Sequence, residues 1–158
     1  LIAAVNGPAI AGGAGLVLAC DLVIASRQAS LGLPEPRRGL VAGLVAPLLN
    51  FRLGASQAAN LLLQARHFSA EEIHQMGVFH ELVDDELVWA RAHEMAQQTA
   101  ESAPEALQLT KQLLNETIGE TLFMQMNIGA AASATSRTTE AAGEGLQAFL
   151  EKRPPKWP

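Results

Sequence analysis

The chain has 158 residues, 49% hydrophobic and 17% charged, the ordinary make-up of a globular domain long enough to bury a sizeable core. A net charge of −5 and an isoelectric point near 5.3 argue against a nucleic-acid surface, and the basic residues form no run beyond the scattered Lys152, Arg153 and Lys156. No apolar stretch approaches the roughly 18 to 20 residues that span a bilayer, the first residues lack the charged start of a secretory signal, and the single cysteine, Cys20, rules out an internal disulfide. These features point to a cytoplasmic protein.

In chain order, Leu1 to Val5 is an uninterrupted apolar run, as expected for a strand covered on both faces. Gly13 to Cys20 is small and apolar and predicts a buried helix. Asp21 to Ser26 and Ala29 to Gly32 follow as extended segments. Leu40 to Leu53 predicts a helix bent or broken at Pro47, and Gly54 to Gln64 predicts another. Ser69-Ala70-Glu71-Glu72 is a capping box whose helix ends at Gly77, and Val78 to Val83 returns as a strand. Asp84 or Asp85 then caps a helix to about Glu101, Ser102-Ala103-Pro104-Glu105 opens the next, and Gly119 interrupts it before a long helix through about Ser136. No internal repeat is visible. The stripe Leu107, Thr110, Leu114 and Thr117 reads as core. Leu122, Met126, Gly129, Ala130 and Ser133 gather methionine and small residues on one face, as where helices of neighbouring chains approach closely.

The densest signal is the passage from Val5 to Asp21. A strand passes through Gly7, Gly12 and Gly13 into a helix, so the first amides of that helix point, unpaired, into the space above the strand. Glycines at 12 and 13 leave those donors uncovered, which suits an anion. Alone, such a turn is equally a tight strand-to-helix connection.

The run Val5-Asn6-Gly7-Pro8-Ala9-Ile10-Ala11-Gly12-Gly13-Ala14-Gly15-Leu16-Val17-Leu18-Ala19-Cys20-Asp21 resembles the signature of the enoyl-CoA hydratase/isomerase, or crotonase, family. Leu31-Gly32-Leu33-Pro34-Glu35-Pro36-Arg37-Arg38-Gly39-Leu40 resembles that family's second active-site segment, and the tail from Glu144 to Trp157 its usual ending. The resemblance implies an α/β fold, a partial crotonase-like ββα spiral over residues 1–84, with a helical oligomerisation region over 85–158 that assembles trimers or dimers of trimers. It also implies that the chain is a fragment. A preceding part would carry the first βα units, much of the CoA surface and the other oxyanion-hole donor.

As catalytic groups, the resemblance implies the Gly12 amide in the oxyanion hole and Glu35 as the proton-transferring carboxylate, held between Pro34 and Pro36. It assigns Gly13, Gly43, Pro34, Phe149 and Lys152 to substrate binding. Coenzyme A belongs to the substrate, and no further cofactor or metal is implied. The family's hydratases use two glutamates, and the position of the first is Gly15 here. Hydration ordinarily divides its work between two carboxylates, whereas a Δ3–Δ2 double-bond shift needs one group that takes a proton from C2 and returns it at C4. One glutamate therefore fits the isomerase more naturally, while the frequency of hydratases in the family makes enoyl-CoA hydratase the first reading and enoyl-CoA isomerase its alternative. A non-catalytic acyl-CoA-binding or scaffold relative is the reading from another class.

The remaining candidates are weaker. Arg37 and Arg38 suit a substrate carboxylate, a salt bridge to Glu35 or solvent. His67, His74, His80 and His93 have no metal spacing, and Ser26 and Ser30 lack a nucleophile elbow. Lys152, Arg153 and Lys156, beside Phe149 and Trp157, fit either CoA phosphates and adenine or a frayed tail.

Overall fold

The computed structural model describes all residues from Leu1 to Pro158. Two three-stranded sheets form its α/β part. In the first, β1 (Ile2–Val5), β3 (Leu22–Ser26) and β6 (Glu81–Val83) run parallel in the order β1-β3-β6, with Ile2 opposite Leu22 and Ile24 opposite Glu81. In the second, β2 (Pro8–Ile10) lies parallel to β4 (Ser30–Gly32), and β5 (His67–Ser69) closes antiparallel on β4. Strands β2 and β5 lie in segments that the sequence presents as turn and linker. Each has three residues, too short for an alternation to register.

Helix α1 (Gly12–Ala19) joins the two sheets and buries Ala14, Val17 and Leu18. It is not buried all round, because Leu16 is 74% exposed and Ala19 also faces outward. The two helices predicted from 40 to 64 are present as the halves of α2 (Val45–Gln64), which divide at Gly54, whose φ of 74° no helix admits, and the first begins at Val45 rather than Leu40. Pro47 causes no break because it sits in the first turn, where its missing N–H has no intrahelical acceptor. Helix α3 (Ala70–Gln75) opens with the predicted capping box. Ser69 Oγ accepts from the Glu72 amide at 3.3 Å, and Glu72 accepts from the Ser69 amide at 2.9 Å. Arg66 and that amide together hold the Glu72 carboxyl down at about 2.

The core fills the space between these elements with Leu31, Leu33, Leu49, Leu61, Phe68, Ile73 and Phe79, each at most 1% exposed. Helix α4 (Val88–Ala100), which follows a short 3-10 turn from Asp85 to Leu87, packs on β1 and β3. Helices α5 (Pro104–Glu116) and α6 (Gly119–Ser136) extend beyond that core and bury no residue. The stripe through Leu107 and Leu114 is thus not core within the chain, since these two leucines are 37% and 59% exposed. Leu122, Met126, Gly129 and Ser133 are half-buried, and two of them are spent on an intrachain contact: a Cβ built on Gly43 would lie 1.9 Å from the Gly129 carbonyl oxygen and 3.0 Å from Ser133 Cβ. The exposed apolar face of α6 is instead Phe123, Met124 and Ile128. Helix α7 (Glu140–Leu150), capped by Thr139, returns to the α/β part. No helix is long and apolar enough to cross a membrane.

Candidate active site

Parallel pairing of β2 with β4 puts the residues that follow both strands at one edge of the sheet. Ile10 stands opposite Gly32, and the Ala11 amide extends the pairing by donating to the Gly32 carbonyl at 2.8 Å. Gly12 lies two residues past the end of β2, and Pro34 and Glu35 lie two and three residues past the end of β4. The carboxyl ends of parallel strands are where open α/β sheets bind their ligands.

Ala11, the residue before α1, has φ 54° and ψ −118°, a conformation that costs an alanine about 1 to 3 kcal/mol. No side chain caps the helix that follows. Its first helical bond runs from the Gly15 amide to the Ala11 carbonyl at 3.2 Å, so Gly12, Gly13 and Ala14 have no acceptor within α1. A Cβ on Gly12 or Gly13 would meet nothing within 4 Å. Neither glycine is required by local packing, and both leave the donors bare. Gly13 lines an open cleft of about 550 Å3, with Val5, Asn6, Pro8 and Leu16 among its other walls. At the opposite end of α1, Arg52 Nε donates to the Leu18 carbonyl at 3.0 Å, and its guanidinium also meets the Cys20 carbonyl, placing positive charge at the negative end of the helix.

The segment after β4 is a 3-10 turn, Glu35–Arg38, ended by Gly39 in the left-handed conformation at φ 68°. Pro34 is buried behind it. The Leu40 amide donates to the Glu35 carbonyl at 3.0 Å, fixing the backbone of Glu35, while its carboxylate Oε2 is buried with no hydrogen-bond partner. A buried carboxylate oxygen without a partner is costly, and such exceptions concentrate where chemistry is done. Neither neighbouring arginine pairs with it. Arg37 donates to the Gln64 carbonyl at 3.0 Å, and Arg38 lies over the Phe149 ring at 3.9 Å.

Gly15, half-buried one turn into α1, faces α2, and a Cβ there would stand 3.1 Å from Val45 Cγ2. A side chain at this position would press on Val45, which would have to give by a few tenths of an ångström.

Gly12, Gly13, Pro34 and Glu35 therefore share one sheet edge. Phe149 joins them through Arg38, and Lys152 lies just past α7 with φ 54°. Gly43 lies apart, backbone to backbone against Gly129. The tail is not frayed. Arg153 forks onto Glu144 at 2.6 and 3.0 Å and reaches Glu151 at 2.6 Å, while the Lys156 amide donates to Glu144 at 2.6 Å. Arg153 and that amide hold the Glu144 carboxyl at about 2. With two carboxylates on it, Arg153 is engaged inside the chain rather than free for phosphate. The residues that the sequence did not single out are Val45, which packs against Gly15, and Gly145, which lies against Arg38; neither carries a reactive group that would draw notice.

The family model described as enoyl-CoA hydratase/isomerase matches residues 1–158. A Thermus thermophilus protein named as an enoyl-CoA hydratase is 42% identical over 156 residues, covering 99% of this chain and 62% of the relative. The 1,2-epoxyphenylacetyl-CoA isomerase of Escherichia coli is 33% identical, over 99% of this chain and 60% of the relative. The crystal structure of an enoyl-CoA hydratase/isomerase from Pseudoalteromonas atlantica superposes with a TM-score of 0.89 at 31% identity, covering 97% of this chain and 62% of that one. The chain thus spans about three fifths of the length of the relatives it matches. With the family model matching its whole length and its fold superposing on that of these relatives, the chain belongs to the enoyl-CoA hydratase/isomerase family and has the crotonase fold.

Proposed function

We propose that the protein to which this chain belongs acts on enoyl-CoA thioesters as a hydratase. In this reading the Gly12 amide, at the positive end of α1, holds the thioester oxygen as it becomes an enolate, and Glu35 moves the proton. The observation that carries it is the buried, unpartnered Oε2 of Glu35 at the strand edge it shares with the bare Gly12 amide. Water gives a proton to the Glu35 carboxylate as its oxygen bonds to C3; the C2=C3 electrons pass to the thioester oxygen, and the enolate then collects that proton at C2. One donor of this kind contributes about 3 to 4 kcal/mol to the transition state in other oxyanion holes. Turnover of a trans-2-enoyl-CoA, followed by loss of the conjugated thioester absorbance in the full-length protein, tests the reading. Full activity in a Glu35→Gln enzyme contradicts it.

A second reading, Δ3–Δ2 enoyl-CoA isomerisation, draws support from Gly15, which carries no carboxylate and packs against Val45, because a double-bond shift needs only one carboxylate. It predicts gain of conjugation from a 3-enoyl-CoA. Gly13, Pro34, Phe149 and Lys152 are proposed as substrate contacts, whereas Gly43 is buried against Gly129 and is not. The exposed Leu109, Leu113, Phe123, Met124 and Ile128 support assembly of α5 and α6 with further copies of the chain, as a trimer or a dimer of trimers. The cytoplasm is proposed as its compartment.

A further inference from the structure

Glu35 is fixed by its own strand on one side only. Leu33, 1% exposed, and the buried Pro34 anchor the segment to β4, but the 3-10 turn then leaves the sheet, and what meets its far side is α7. The contact is backbone on backbone. A Cβ on Gly145 would lie 2.4 Å from the Arg38 carbonyl carbon, and one on Gly39 would lie 2.3 Å from the Ala141 carbonyl oxygen. No flexible side chain lies between, so an added methyl has to displace backbone. Ala142, 0% exposed, completes the contact beside Gly39, and Phe149 closes it by stacking under Arg38. Glu144, in the middle of α7, accepts from Arg153 and the Lys156 amide, which folds the tail back along the helix.

We propose that α7 is a backstop that sets the Glu35 carboxylate for proton transfer, with Gly145 and Arg38 as its positioning residues. The proposal rests on the reading of Glu35 as the proton-transferring group. It follows from the arrangement of the turn: Arg38 is three residues from Glu35, and the Glu35 carbonyl is tied to Leu40, so a push on Arg38 is transmitted to Glu35 rather than absorbed.

The test uses the full-length protein and three variants. Gly145→Ala should lower kcat about 10- to 100-fold, the cost of a misplacement on the order of 1 Å, while KM for the acyl-CoA stays within about twofold and the oligomer and circular dichroism match the parent. Arg38→Met, which adds no clash and so keeps the fold, should lower kcat in the same sense by a smaller factor, and Arg38→Lys should restore part of it by keeping a cation over Phe149. Parental kcat per folded site in Gly145→Ala, or in Arg38→Met should the former not fold, overturns the proposal. Glu35→Gln separates the two ideas. If it is inactive while both positioning variants turn over normally, only the backstop fails; if it is fully active, the reading of Glu35 fails first.

Discussion

The segment up to α4 and the arm formed by α5 and α6 are built on different terms. The first buries Ile24, Leu31, Leu49, Ile73 and Phe79 completely, whereas the arm buries nothing and exposes Leu109, Leu113, Phe123 and Ile128 at 63% or more. The arm meets the rest of the chain along α2, with Gly129 against Gly43, and through Lys111 on Asp21. Helices of this length gain most of their stability from a packed face, so these two need a surface that the chain itself does not supply. Helix α7 differs from both, since it leaves the arm and packs back on the turn that carries Glu35. Strands and α7 frame the proposed site, and the arm carries the exposed apolar face on which the proposed assembly rests.

The largest expected effect lies at the site. Glu35→Gln should lower kcat by about 10²- to 10⁴-fold with no loss of thermal stability, because it removes a carboxylate oxygen that has no partner; steady-state turnover and a melting curve check both halves. Next comes the contrast in packing. Phe79→Ala should cost about 3 to 5 kcal/mol in a denaturant titration. Phe123→Asp, on the arm, should leave the unfolding of the α/β part in place but convert the assembly to single chains in light scattering. A smaller effect is expected of Gly12→Ala. The new methyl meets nothing in the chain, so stability should hold or rise by up to about 1 kcal/mol, yet turnover should fall about tenfold because the methyl stands beside the donor.

The smallest prediction concerns pH and the α/β part alone. The Val23 amide donates to His80 Nδ1 at 3.0 Å, and the His80 amide donates to the Val23 carbonyl at 2.9 Å. Burial, with Arg52 and His74 nearby, lowers the His80 pKa below its usual 6.5. The folded state therefore favours neutral His80. Its stability should be full above pH 6.5 and decline as pH falls through 6.5, where the unfolded chain takes up the proton first. His80→Gln, which keeps an acceptor, should flatten that decline in melts recorded between about pH 5 and 7.5.

The glycine turn, the capping box at Ser69 and the strands β1 and β3 were legible because each leaves a local mark: an uninterrupted apolar run, a run of small residues, a spaced serine and glutamate. Strands β2 and β5 were not, since their pairing with β4 is a matter of distant register. The stripes of α5 and α6 misled for a related reason. Periodicity reveals that a helix has an apolar face but not what covers it, and on α6 part of the small-residue face turned inward to Gly43. Gly12 and Glu35, the residues proposed for catalysis, stand out in the sequence as motif residues. The contacts that surround them, Val45 on Gly15 and Gly145 on Arg38, depend on helices far along the chain and carry no chemical signature.

The most direct test of the account is exchange of the C2 protons of a saturated acyl-CoA with D2O, catalysed by the full-length protein and by its Glu35→Gln variant. This reads enolate formation and proton transfer without requiring either overall reaction. The account predicts deuterium at C2 with the parent enzyme and exchange reduced about a hundredfold or more in the variant. Equal exchange by both proteins would contradict it.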